Sequence, residues 1–156
     1  MKKIKQYRLP SYSKTLKTEV VCPNDTNPMG ILQGGRLVAW MDIAAAVTAQ
    51  THSGKICVTV SIKNVDFKAA AKLGDIITII SKITRAFTTS MEIFVQAFSR
   101  KVVDGKKYII SEAYFTFVAL DDMGKATQVI AVKPVSRDGK MQYEAALKRK
   151  ITHRKE

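Results

Sequence analysis

The stretch from Arg36 through Leu37-Val38-Ala39-Trp40-Met41-Asp42-Ile43-Ala44-Ala45-Ala46-Val47-Thr48-Ala49 to Gln50 constrains the fold more than any other part of the chain. Its residue types predict a helix that ends before Ser53-Gly54. A helix lying on a protein surface shows one apolar stripe, whereas this one is apolar on almost every side. It must therefore be covered on most of its faces. It falls short of the roughly 20 apolar residues that a bilayer span needs. The helix belongs inside a globular protein, and the rest of the chain has to wrap it.

The segments available to do so read as strands. Residues 1–13 read as an irregular lead, and Lys14 to Val21 as a first strand. Turn formers are dense in Pro23-Asn24-Asp25-Thr26-Asn27-Pro28-Met29-Gly30, which predicts a loop. Gly34-Gly35 then precede the helix. Beyond it, Ile56–Phe67, Ile76–Ile83, Ser90–Phe98 and Tyr108–Leu120 are rich in β-branched and aromatic residues or alternate in polarity. Gly74-Asp75 precedes the second of these runs, Asp104-Gly105 marks a hairpin turn, and Asp121-Asp122-Met123-Gly124 closes the last. Met141 to Arg149 predicts a short C-terminal helix. The order is one strand, one buried helix, then four strands in meander-like succession. This is an α+β pattern, an antiparallel sheet curled around one central helix. A single curved sheet leaves one side of that helix open. A second copy of the chain is expected to close it, so a homodimer is the smallest assembly expected. The 156 residues suit one domain, with a core at about 14–135 and a basic C-terminal helix and tail at 136–156.

Charge narrows the partners. The formal net charge of +13 argues for an anionic partner: nucleic acid, an anionic membrane or a phosphorylated small molecule. Part of the excess sits at the ends, in Lys2, Lys3, Lys5, Arg8, Lys148, Arg149, Lys150, Arg154 and Lys155, where charge is usually solvated. Another part, including Lys63, Lys68, Lys82 and Arg85, is internal and would suit a coenzyme carrying several phosphates. No basic helix or aromatic-interleaved strand supports nucleic-acid binding. The N-terminus is basic but has no apolar run of a signal peptide, so a cytoplasmic protein without membrane insertion is expected. Cys22 and Cys57 have no metal or redox spacing and are expected to be two small buried side chains.

The common hydrolase signatures are missing. There is no GxSxG, GxxxxGK[ST], HExxH or GxGxxG, and His52 and His153 cannot supply a three-ligand metal site. What remains is Asp42, the only acidic residue of the apolar helix. Burying a carboxylate costs several kcal/mol unless it is paired or hydrogen-bonded. Desolvation would favour its protonated form and make it a better base near neutral pH. A pairing with Arg36 would explain it without any chemistry. Gly34-Gly35 would let a ligand approach the first amides of the helix, which are unpaired donors at the positive end of its dipole. Such amides can hold the oxyanion of an acyl-transfer intermediate. A simple tight turn would use the same glycines. Asn27 can donate and accept, or can serve only as an Asx-turn residue before Pro28.

The run from Pro23 to Asp42, with Asn27, Gly34, Gly35 and Asp42 within it, closely resembles the signature of hotdog-fold acyl-CoA hydrolases, the bacterial relatives of brain acyl-CoA hydrolase. Val58-Thr59, Val65-Asp66-Phe67, Gly74-Asp75, Thr89-Ser90-Met91-Glu92 and the run Ala113 to Asp121 follow in family order, so the resemblance covers residues 14–135. It implies the hotdog fold and hydrolysis of fatty acyl-CoA to free acid and CoA, with no cofactor and no metal. It implies Asp42 as general base or nucleophile, Asn27 as the residue positioning thioester or water, and the Gly35 amide as the group polarising the thioester carbonyl. Gly34, Thr59 and Ser90 are implied as substrate-binding. The site is implied to lie between two subunits, with further assembly into trimers of dimers.

Several positions depart from the family pattern: Gln33, Thr51, Lys63, Ala70 and Phe87-Thr88. They leave CoA contacts and chain-length preference open. Three other readings compete. A regulatory protein that only binds acyl-CoA would not require the base that Asp42 retains. A nucleic-acid binder rests on charge alone. Hydration or dehydration of an acyl thioester usually wants a His beside a carboxylate, and His52 lies near the helix end.

Overall fold

The computed structural model describes residues 6–153. The basic residues Lys2, Lys3, Lys5, Arg154 and Lys155 lie outside them. The chain forms β1 (Tyr7–Arg8), α1 (Pro10–Ser13), β2 (Thr15–Val20), a 3-10 turn (Pro23–Asp25), α2 (Gly34–Ser53), β3 (Ile56–Phe67), β4 (Ile76–Ala86), β5 (Ser90–Arg100), β6 (Lys107–Leu120), β7 (Ala131–Val132) and α3 (Arg137–His153).

Alternation along the long strands builds the core. Ile77, Ile79 and Ile83 of β4, Met91, Ile93, Val95 and Ala97 of β5, and Ala113, Phe115, Phe117 and Ala119 of β6 are buried on one face. Against that face lies α2, through Leu37, Trp40, Met41, Ala44, Ala45 and Ala49. The alanines bring the helix axis close to the sheet, and burying Phe115 and Phe117 there stabilises the fold by about 2–3 kcal/mol each. Thr48 is the polar exception on this face of α2. Its hydroxyl is satisfied by the hydroxyls of Ser81 at 2.8 Å and Thr15 at 2.9 Å. The helix ends at Gly54, whose positive φ of 68° closes the last turn with an N–H bond to the Gln50 carbonyl.

The five-stranded antiparallel sheet has the order β2-β4-β5-β6-β3. The last three strands do form a meander, but β3 does not join it in sequence order. It pairs with β6 at the far edge, and the chain then crosses to β4. The crossing at 68–75 is held by the loop before α2: Leu32 N–H donates to the Ala71 carbonyl at 2.8 Å and Leu73 N–H to the Gly30 carbonyl at 3.2 Å. Asp75 secures its end, with Oδ2 accepting from the Lys72 amide and the Ser99 hydroxyl.

Three other expectations change. The lead contains structure, because β1 pairs in parallel with β7 and α1 packs on α2. Arg8 ties β1 to the end of α2 by donating to the carbonyls of Thr51 and His52. The glycine pair lies inside the first turn of α2 instead of before it. The C-terminal helix runs from Arg137 to His153, longer than expected, because the Ser136 hydroxyl accepts from the Gly139 amide at 2.9 Å and caps its start. This helix covers the opposite face of the sheet from α2. Arg149 clamps it there through two hydrogen bonds to the Glu92 carboxylate, at 2.9 and 2.6 Å. Of the two cysteines, Cys57 is buried as expected and Cys22 is exposed. Cys22 sits at the start of the 3-10 turn, where its amide donates to Asp25.

One flank of the subunit stays open. The face of α2 turned away from the sheet shows Ala39, Ile43 and Val47, with Ile43 51% and Val47 44% exposed. Beside it runs the unpaired edge of β3, with Ile56, Val58 and Val60 exposed. Apolar side chains and a free strand edge thus share one flank of the subunit.

Candidate functional site

Asp42 lies on that open flank, half-buried at the boundary of the core face of α2. The Thr59 hydroxyl donates to its Oδ1 at 2.7 Å. Thr59 can reach it because Thr59 stands opposite Phe117 in the β3–β6 pairing, on the helix side of the sheet. Val60 is then left out of register, a bulge in the edge strand next to the site. The pairing of Asp42 with Arg36 does not form. Arg36 instead meets Asp25 at 3.2 Å, which fastens the start of α2 to the preceding loop. The second carboxylate oxygen of Asp42 has no partner among the described residues.

The start of α2 is a donor-rich terminus. Gln33 occupies the N-cap position without a capping side chain, and the first helical bond is Leu37 N–H to the Gln33 carbonyl at 3.1 Å. The amides of Gly34, Gly35 and Arg36 precede that bond and have no acceptor among the described residues. The two glycines differ in what surrounds them. A side chain at Gly34 would meet the Phe67 ring at 3.1 Å, whereas at Gly35 nothing lies within 4 Å. A side chain at Gly34 would press on the Phe67 ring, and Gly35 leaves its amide open to an approaching group.

Asn27 is an Asx-turn residue. Its Oδ1 accepts from the Met29 amide at 2.9 Å and the Ile31 amide at 3.2 Å. Two backbone donors fix the orientation of the side-chain amide, so its NH2 group faces away from the turn with both hydrogens to donate. The loop is braced against α2 by Gln33, which donates to the carbonyls of Asp25 and Thr26.

The single subunit does not bring these groups to one point. Gly35 and Asp42 stand seven residues apart on one helix, about 10 Å along its axis. Asn27 and Asp42 make no contact. Ser90 lies farther away. It pairs with Val118, one residue out of phase with buried Met91 and Phe117, and so faces the α3 side of the sheet. There it lines a cleft with Lys63, Tyr114 and Arg149. Lys63, a departure from the family pattern, is therefore also on the face away from Asp42.

His52 and Cys57 sit away from this chemistry. His52 is fully buried, and its Nε2 donates to the Ile130 carbonyl at 2.9 Å. Burial holds its pKa below the usual imidazole value. It stands ten residues beyond Asp42, about 15 Å along α2, too far to share a reaction with it. Burial also pushes the Cys57 thiol up, against the opposing effect of its hydrogen bond with Ser53. Among the described residues no three His, Cys, Asp or Glu side chains converge to hold a metal, and no helix is long and apolar enough to cross a membrane.

The family described as the thioesterase superfamily matches residues 29–106. An uncharacterized acyl-CoA thioester hydrolase of Bacillus subtilis is 34% identical over 137 residues, 88% of this chain and 80% of that protein. The chain spans only 21% of the length of a mouse acetyl-coenzyme A thioesterase that it also matches. Among solved structures, an apo-hexameric acyl-CoA thioesterase superposes with a TM-score of 0.93 at 37% identity, covering 96% of each chain. An acyl-CoA hydrolase of Staphylococcus aureus, solved with butyryl coenzyme A, coenzyme A and coenzyme A disulfide, superposes with a TM-score of 0.87 at 39% identity, covering 96% of this chain and 90% of that one. The same hydrolase has been solved with an aspartate, an asparagine or a threonine replaced by alanine.

Proposed function

The chain belongs to the thioesterase superfamily, and from that premise we propose that it hydrolyses acyl-CoA thioesters to a free acid and CoA at a site shared by two subunits. The observation that carries this reading is the Asp42 carboxylate on an otherwise apolar helix, held through one oxygen by Thr59 with the other free. A carboxylate in that state can take a proton from water or attack the thioester carbonyl itself. The Gly35 amide stabilises the oxyanion, and the Asn27 NH2 group positions the thioester or the water. Asp42, Asn27 and Thr59 are the three residue types replaced by alanine in the S. aureus hydrolase. CoA enters as part of the substrate, and the chemistry needs water and no cofactor.

Geometry within one chain argues for the shared site. A base and an oxyanion donor must each come within about 3 Å of the reacting atoms. The roughly 10 Å between Gly35 and Asp42 forbids that for one thioester on one chain. A two-fold axis across the β3 edge and the exposed stripe of α2 runs the two helices antiparallel. The helix start and Asn27 loop of one subunit then approach Asp42 of the other. The same contact covers Ile43 and Val47 and pairs the free edge. The hexameric form of the solved relative is the further assembly we propose, with residues 1–156 as a single domain.

The test is release of free thiol from acyl-CoAs of short to long chain, alongside light scattering. Turnover by a dimer or larger species is expected. A stable, fully active monomer would refute the shared site, and the absence of turnover with every chain length would refute the hydrolysis.

A further inference from the structure

The Asn27 NH2 group and the Gly35 amide belong to different elements of one chain. Asn27 lies in the loop after the 3-10 turn, and Gly35 in the first turn of α2. For both to meet one thioester and its water, their separation must be held to about half an ångström. The backbone between them is poorly suited to hold it. Gly30, Gly34 and Gly35 all fall between Asn27 and the first helical bond at Leu37, and glycine is the most permissive backbone.

Asp25 spans this gap. Its carbonyl accepts from the Gln33 amide at 2.9 Å, just before the glycine pair. Its Oδ1 meets Arg36 Nε at 3.2 Å, just after the pair. One residue thus grips α2 on both sides of Gly34-Gly35. Asp25 is itself fixed within the 3-10 turn. Its Oδ2 accepts from the Cys22 amide at 2.9 Å, and its own amide donates to the Cys22 carbonyl at 2.9 Å. Asn27 follows two residues on, its side chain set by the Met29 and Ile31 amides.

The ion pair adds little to the fold itself. The Asp25 side chain is 15% exposed and that of Arg36 45%, so solvent screens their attraction. Gln33 already joins loop to helix through its amide and its side chain. Those bonds all act at one residue, and a helix held at one point can pivot there and carry the Gly35 amide with it. Arg36 supplies the second point, three residues along, and removes the pivot.

We propose that Asp25 and Arg36 are positioning residues for the hydrolysis: their ion pair locks the first turn of α2 against the Asn27 loop and so fixes the Gly35 amide relative to the Asn27 NH2 group. The inference rests on acyl-CoA hydrolysis at the shared site. Among the described residues neither side chain bonds to Asn27 or Asp42, so the pair acts through the backbone. Its effect belongs to the transition state, where the carbonyl oxygen becomes an oxyanion and the donors must be in place.

The experiment measures kcat and KM for thiol release from butyryl-CoA and longer acyl-CoAs. It compares wild type with Arg36→Met, Asp25→Asn, the double variant and Arg36→Lys. Arg36→Met keeps an apolar stem, and Asp25→Asn keeps an oxygen for the Cys22 amide. Each is expected to melt within a few degrees of wild type, because a partly exposed pair is lost. Each is expected to lose kcat by about tenfold to a hundredfold, the scale of a displacement near 1 Å, with KM little changed. The double variant should lose no more than the worse single one, since both remove the same interaction. Arg36→Lys should restore part of kcat by keeping a cation beside Asp25. Unchanged kcat in a folded variant, a loss confined to KM, or losses that multiply in the double variant would overturn the proposal. If Asp25→Asn fails to fold, Arg36→Met against Arg36→Lys decides, and equal kcat in these two overturns it. A wild type that releases no thiol from any acyl-CoA refutes the hydrolysis and this assignment together. Turnover kept at the wild-type level in every variant refutes the assignment alone.

Discussion

Subunits carrying Asp42→Asn and subunits carrying Asn27→Ala should each be inactive alone and active when mixed. If each site takes Asp42 from one chain and Asn27 from its partner, a mixed dimer holds one site with both defects and one with neither. Each mixed dimer has one intact site of two, so mixed dimers purified from the co-expressed chains should recover roughly half of wild-type activity. The prediction follows from the separation on α2, about 10 Å from Gly35 to Asp42, which one chain cannot close. Neither substitution should unfold the subunit. Asp42 is half-buried with one hydrogen bond, and Asn27 sits in an exposed loop that Gln33 also braces. The two chains would be co-expressed with different tags, the mixed species purified through both, and thiol release followed with an acyl-CoA. Recovery no greater than the sum of the separate variants would refute the shared site and place the chemistry within single chains.

Other consequences are smaller in scope. Thr59→Val keeps the shape but removes the donor to Asp42. It should lower kcat/KM by about tenfold to a hundredfold, the worth of one hydrogen bond to a charged group, without changing the melting temperature by more than a few degrees. Gly35→Ala has free space within the chain and should fold normally yet lose turnover, whereas Gly34→Ala should lower the melting temperature by forcing the Phe67 ring aside. Circular dichroism melts beside thiol release separate these two. His52 is held neutral by burial, with its folded pKa below the unfolded value of 6.5. The unfolded chain therefore takes up a proton that the folded chain resists. Stability contributed by this group is complete above pH 6.5 and is lost as pH falls through the folded pKa. Melts from pH 7.5 to 5 should show this decline, and His52→Gln, which keeps a donor for Ile130, should weaken it.

Much of the fold was readable because local pattern and tertiary role agree. The apolar run around Trp40 and Ala44 could only be a covered helix, and the alternation of Met91, Ile93, Val95 and Ala97 could only be a strand with one buried face. The position of β3 was not readable. Nothing in its residues says that it pairs with β6 rather than β4, because the crossover is secured by distant backbone bonds at Leu32 and Leu73. The two-residue strands Tyr7–Arg8 and Ala131–Val132 exist only through each other and leave no periodic signal. The start of α3 was hidden by Gly139, a poor helix former tolerated in a first turn capped by Ser136. Asp42 stood out as the lone carboxylate in apolar surroundings, but its partner Thr59 is ordinary in a strand and required the fold to be seen.

The central claim is that Asp42 performs the chemistry, and one comparison tests it most directly. Wild type and Asp42→Asn would be assayed side by side for thiol release from butyryl-CoA and longer acyl-CoAs, with CoA binding followed by calorimetry. The account predicts that the near-isosteric variant folds, binds CoA with wild-type affinity and loses turnover by at least about a hundredfold, the scale expected for removing a general base. Wild-type rates in Asp42→Asn would contradict it.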